Sequence, residues 1–288
     1  VTIDVVVSLG GNAEAWKQVA LIYGGIGLVA NTLSALSVKE MPHEELYKTD
    51  YGAVEIQEEP YTLLEGARLL LTNKYFIMVC GILMLSQVCQ SSLSMGVYFM
   101  KYVLGNEGLL KTFSLFTNVP LILGLIITPW LVKRLRGMYK LNFVGYLVAV
   151  LGRIGVMIGA YTGSVPTMLV CTAIAALGTS PMHGDQNALI ASCSEHTFLT
   201  HGKRIDGTMY SCSSFGIKVG ASIGTALSGW LMAATGYIEN AALQTTGTIT
   251  MLYVLYLWVP ILLNVAITLL LTYLNVEKAN EKLLAVRR

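Results

Sequence analysis

The sequence predicts an all-α membrane protein with seven transmembrane helices. Of its 288 residues 54% are hydrophobic and 12% charged, a balance that would not keep a soluble domain of this size dissolved. Seven stretches are apolar over the length needed to cross a bilayer. That length is about 20 residues for a hydrocarbon core of about 30 Å, because every backbone donor and acceptor must be satisfied internally there. Basic residues, finally, gather in alternate connections.

The expected spans are residues 15–37, 75–102, 110–132, 141–161, 165–192, 207–234 and 248–274. Lys39, Lys48, Arg68 and Lys74 lie between the first and second. Lys133, Arg134, Arg136 and Lys140 lie between the third and fourth, Lys203 and Arg204 between the fifth and sixth, and Lys278, Lys282, Arg287 and Arg288 after the last. The other connections hold only Lys17, Lys101 and Lys111. Basic residues stay preferentially on the cytoplasmic side, so the amino end is expected outside and the carboxyl end in the cytoplasm of a plasma (cytoplasmic) membrane.

Residues 39–74 form the longest connection and hold eight carboxylates, including Glu65. Near its end Leu63, Leu64, Ala67, Leu70 and Leu71 recur at helical spacing, which predicts an amphipathic helix lying along the inner membrane surface. A lone span (1–38), a long inner loop with that helix (39–74), six spans (75–275) and a tail (276–288) fit the second half of a six-plus-six helix architecture entered at its sixth span. The chain starts at Val1 and reads as truncated at the front. Cys80, Cys89, Cys171, Cys193 and Cys212 fall in apolar segments without paired spacing and are read as free thiols.

Lys218 is the informative residue. It lies roughly 15 Å into the sixth span, near mid-bilayer, where a lysine costs at least about 2.5 kcal/mol and normally faces a polar interior on a functional path. The alternative is a structural lysine paired with a buried carboxylate. Ser211, Ser214, Lys218, Ser222 and Thr225 recur at three- and four-residue spacing and form one polar stripe. Gly216, Gly220 and Gly224 on the same helix are read as a packing surface. The second span carries Gln87, Gln90, Ser91, Ser94, Tyr98 and Tyr102 along one face, a set of amides, hydroxyls and aromatic rings suited to a sugar and equally to bonding between helices. The fifth span, with Gly178, Pro181 and Gly184 around His183, Asp185, Gln186 and Asn187, is expected to be interrupted beside a binding site. His183 is either a ligand contact or a neutral histidine bound to a carbonyl. Asp185 is a candidate ion-pair partner for Lys218 or for Arg153, which is read as part of a structural pair. No phosphate-cradling loop, zinc spacing or nucleophile elbow occurs, so no catalytic residue, metal ligand or cofactor is assigned and no enzyme is expected. The formal charge of +2 argues against nucleic acid as a partner.

Residues 202–237, GKRIDGTMYSCSSFGIKVGASIGTALSGWLMAATGY, resemble the glycoside-pentoside-hexuronide:cation symporter family of the major facilitator superfamily. Gly202, Arg204, Asp206, Gly207, Tyr210, Ser211, Phe215, Lys218, Gly236 and Tyr237 carry the likeness. Asn73 to Phe76, YFMKYVLGN at 98–106 and the basic loop 133–140 are weaker echoes. The resemblance implies a major facilitator fold, of which this chain is the sixth span plus the carboxyl-terminal six-helix half. It implies cation-coupled symport of a sugar or glycoside by alternating access, with Lys218, Ser213, Ser214 and His183 at the sugar, and a coupling cation, sodium or proton, held mainly in the amino-terminal half. Ser192, Glu195 and His196 stand where the family carries Asp-x-x-Asp-Tyr, which alters the gating expected of Glu195 and Arg204. Two other classes of membrane protein share part of this pattern. A seven-helix receptor or retinal protein matches the span count, but its lysine belongs in the last span. A major facilitator exporter of drugs or lipids conflicts with the polar stripes.

Overall fold

The computed structural model describes residues 5–6, 8–10, 12–37, 62–135, 137–239, 241 and 243–287. The acidic part of the expected loop, 38–61, and Arg136 lie outside the described residues. Every regular element among those described is helical, and seven helices are long and apolar enough to cross a membrane. The chain divides into two compact units, Val1–Glu58 and Glu59–Arg288.

The first unit holds α1 (Ala13–Ser37). Asn12 Oδ1 accepts from the Ala15 amide at 2.9 Å and satisfies one of the free donors at the helix start. Ala15 and Val19 pack with Val6, while Leu21, Ile26, Leu28, Leu33 and Leu36 are exposed, as suits a helix whose solvent is lipid.

The second unit starts with α2 (Leu63–Thr72), the expected amphipathic helix. Leu69 and Leu70 pack with Ile205, Leu274 and Val276, whereas Leu64 and Leu71 point outward. A salt bridge of 2.5 Å from Lys203 Nζ to Glu65 Oε1 fixes α2 to the connection between the fifth and sixth spans. The hydrogen bond from Lys203, its charge, and the Thr62 backbone hold the Glu65 carboxyl below the ordinary carboxylate value against an opposing effect of burial. A carboxyl depressed on folding contributes above its unfolded value, and the contribution disappears as pH falls through the folded one. A spin label at Ala67 should therefore gain mobility when the pH drops below the carboxylate range, and Glu65→Gln should remove that pH dependence.

The spans follow as α3 (Lys74–Ser94) with α4 (Gly96–Tyr102), α5 (Leu109–Leu135), α6 (Met138–Tyr161), α7 (Val165–His201) and α8 (Asp206–Ala234). The last combines α9 (Thr246–Tyr253), a π-helical turn (Val254–Trp258) and α10 (Val259–Tyr273), and α11 (Val276–Arg287) closes the chain. Asn73 joins the ends of α2 and α3: its Oδ1 accepts from the Tyr75 and Phe76 amides, and its Nδ2 donates to Cys193 O and Thr197 Oγ1 on α7, both at 2.8 Å. At the same end Glu277 of α11 accepts from the Met138 and Tyr139 amides, a carboxylate at the positive end of α6.

The expected interruption of the fifth span is not found, because α7 is continuous through Pro181. Proline removes the amide that would have bonded Leu177 O, and Ser180 Oγ takes that acceptor at 2.8 Å. Gly178 and Gly184 serve packing instead. Gly145, Ala149, Gly152, Val156 and Gly159 run down α6 at alternating spacings of four and three, and this row meets Gly178, Ala175 and Met168 of α7. A Cβ on Gly152 would stand 2.7 Å from the Ala175 amide nitrogen, so the two backbones nearly touch, and dispersion contacts hold the helices where lipid offers no hydrophobic driving force.

Candidate functional site

The site is built on the face that α3, α7 and α8 leave open. Helix α8 lies against α3 at Gly220 and Gly224, where an added Cβ would come within 2.7 Å of Met84 O and 2.8 Å of Ser91 Cβ. Ser91 Oγ donates to Ala221 O at 3.2 Å and holds the same contact. With that edge pressed on α3, the neighbouring stripe Ser211, Ser214, Lys218, Ser222 and Thr225 is turned out and all five residues are exposed. Ser211 and Ser222 donate to carbonyls one turn back on their own helix, which leaves their oxygens free to accept. Gly216 does not share the packing role of the other two glycines, since a Cβ there would meet nothing within 4 Å.

Tyr210 of α8 donates its hydroxyl to Asn187 O of α7 at 3.0 Å. The two helices run in opposite directions, so His183 and Ser214, each one turn further toward the middle, stand at one level, with Lys218 a turn beyond. Both His183 and Ser214 are exposed. On α3, Gln87 is half-buried and Gln90 exposed, beside the contact that Met84 and Ser91 make with α8. An ammonium, an imidazole, a hydroxyl and two carboxamides thus occupy roughly 15 Å of helix axis on one surface, near the middle of the 29-residue α8. Among the described residues no carboxylate lies within 4.0 Å of the Lys218 ammonium.

Other expected residues are placed elsewhere. Ser213 is 2% exposed and turned into the bundle toward Cys80, so Ser214 alone of the two reaches the open face. Tyr98 packs edge-on against Tyr237 at 5.3 Å, beyond Gln90 and toward the end opposite α2. The ion pairs expected of Asp185 and Arg153 do not form among the described residues. Asp185 Oδ2 accepts from Asn142 Nδ2 at 2.7 Å, and neither Lys218 nor Arg153 comes within 4.0 Å of it. Arg153 is buried with Nε unpartnered, near enough to Cys89 and Tyr256 to act on both electrostatically. Arg204 stacks over Phe198, 5.4 Å from the ring centre, and makes no ion pair with half-buried Glu195. Three contributors went unread in the sequence: Asn142, Asn187 as a carbonyl acceptor, and Ser180 as a proline partner. Asn142 alone left a signal, since it extends the small-residue row of α6 by one step.

A bundle of membrane-length helices with a polar, lysine-bearing face at mid-span defines a multi-pass membrane protein. The chain belongs to the MFS/sugar transport protein family, whose description matches residues 2–278. It is 30% identical over 280 residues to an isoprimeverose transporter of Lactiplantibacillus pentosus, covering 95% of this chain and 55% of that protein. It is 27% identical to an uncharacterised symporter of Bacillus subtilis (strain 168), covering 95% and 56%. To a glucuronide carrier protein homolog of Escherichia coli (strain K12) it is 30% identical, covering 56% and 34%. The chain spans about half the length of the first two of these relatives.

Proposed function

We propose that this chain forms one wall of the solute pathway in a secondary transporter that carries a sugar or glycoside together with a cation by alternating access. The observation that carries the reading is the mid-span face on which Lys218, Ser214, His183 and Gln90 are exposed and Gln87 half-buried. Such groups are too costly to leave against acyl chains, so water or a hydroxyl-rich solute is their partner. Lys218 donates to sugar hydroxyls or pairs with an anionic sugar, the amides bond in both directions, and His183 offers a ring face or a nitrogen. Ser213 shapes the wall from behind Ser214, and the Tyr98 and Tyr237 rings line the mouth at the far end. Relatives named for isoprimeverose, for a glucuronide and as a symporter support both the solute class and the coupling. The basic connections face the cytoplasm across the plasma membrane, and the coupling cation binds mainly to helices outside this chain.

The test is uptake by cells producing the complete protein, with labelled neutral glycosides and hexuronides and an imposed sodium or proton gradient. Accumulation of one solute class, lost when the gradient is collapsed, is expected. Failure of every glycoside and hexuronide to accumulate would refute the solute class, and accumulation indifferent to both gradients would refute coupling.

A further inference from the structure

Two buried side chains joined by one hydrogen bond each keep an oxygen without a donor. Asn142 on α6 is 1% exposed and Asp185 on α7 is 6% exposed. Asn142 Nδ2 donates to Asp185 Oδ2 at 2.7 Å, while Asn142 Oδ1 and Asp185 Oδ1 are both buried and unpartnered. Among the described residues no lysine, arginine or histidine nitrogen lies within 4.0 Å of the carboxyl. Beyond the Asn142 amide and its own backbone N–H, the groups around it do not help an anion. Tyr146 on α6 is engaged with Ser86 Oγ of α3 at 3.1 Å, and Glu277 on α11, which acts on Asp185 from the end of the bundle, is itself acidic. An ionised carboxylate here would be a buried charge with one side-chain hydrogen bond and the bare amide oxygen of Asn142 on its partner, an arrangement that proteins avoid.

We propose that the Asn142–Asp185 pair is a proton-binding site, in which Asp185 is kept as the neutral acid and its Oδ1–H donates to Asn142 Oδ1. One proton taken from solvent satisfies both orphaned oxygens. With the existing bond it closes a ring of two parallel hydrogen bonds between a carboxylic acid and a carboxamide, uncharged and complete in itself. The pair continues the row in which Gly145 and Gly178 bring α6 and α7 together, so the proton joins the two helices at the end of their closest contact. Loss of the proton would set a carboxylate against an amide oxygen in that seam.

Infrared difference spectroscopy of the protein in lipid nanodiscs tests this directly. At neutral pH the wild type should show the C=O stretch of a protonated carboxyl, which Asp185→Asn lacks, and Asn142→Ala should move that band to higher frequency because the carbonyl loses its amide donor. Raising the pH should abolish the band in the wild type. Aspartate labelled with carbon-13 at the carboxyl should shift the band to lower frequency, which assigns it to an aspartate. A wild type with no protonated-carboxyl band at neutral pH, a band insensitive to the aspartate label, or one that survives Asp185→Asn would overturn the proposal.

Discussion

Lys218→Ala in the complete protein is expected to reduce sugar uptake by at least about 100-fold while leaving the protein folded and in the membrane. The two halves of that statement rest on different observations. Lys218 is exposed and has no carboxylate within 4.0 Å among the described residues, so its removal strands no buried partner, and a change of that kind costs about 0.5 kcal/mol or less. The effect on uptake comes from the solute. Hydrogen bonds to a charged group contribute about 1.5–3 kcal/mol each, so losing two amounts to about 3 kcal/mol or more, or roughly 100-fold in affinity. Substitution by glutamine separates the two kinds of cargo. Lys218→Gln keeps donors for a neutral glycoside and should retain measurable uptake, whereas a hexuronide loses its counter-charge and should fail with glutamine as it does with alanine. Lys218→Arg keeps the charge on a larger, planar head, and partial recovery restricted to the hexuronide would mark an anion site. Wild-type uptake by Lys218→Ala would remove this lysine from the pathway.

Composition and hydropathy sufficed to read the seven spans because lipid imposes one rule, internal satisfaction of the backbone, that writes itself into every spanning segment. The ends were harder. Helix α7 continues to His201, nine residues past the expected limit, because beyond the bilayer it gains neighbours, such as Asn73 bonding Cys193 O and His196 Nδ1 meeting Asn280. The polar face of α8 was legible as a periodicity, but its rotation was read incompletely. Met209, Ser213, Gly220, Gly224 and Ser228 form the buried row, and Ser213 stands seven residues before Gly220, so the glycines already marked it as a packing residue. Partners across helices were not legible at all. The sequence offers Lys218 and Arg153 as candidate partners for Asp185 and contains no distances, whereas the structure gives it an amide from α6. The expected break at Pro181 failed for a local reason: the hydroxyl of the preceding serine replaces the missing donor.

The same chemical change at two glycines is expected to have opposite consequences. In Gly178→Ala the new methyl would stand 2.5 Å from Gly145 O and 2.6 Å from the Ala149 amide nitrogen, and both are backbone atoms of α6 that no rotamer change can move. The helices must separate, and the separation spreads along the row to Gly152 and Gly159, where α6 and α7 also meet with no side chain to spare. Overpacking of a well-filled interior typically costs about 1–3 kcal/mol, and a clash with rigid backbone belongs at the upper end. In Gly216→Ala the methyl meets nothing within 4 Å, and alanine gains up to about 1 kcal/mol over glycine inside a helix. Thermal unfolding of the two variants in detergent, followed by a thiol-reactive dye on the five native cysteines, should show Gly178→Ala melting well below the wild type and Gly216→Ala at or above it. The cysteines suit this readout because Cys89 and Cys193 are buried and Cys171 lies against Gly155 in the α6–α7 contact itself. Equal melting of the two variants would mean that α6 and α7 do not approach as closely as the row of small residues requires. The Asn142–Asp185 pair would then lose the contact that seals it from water.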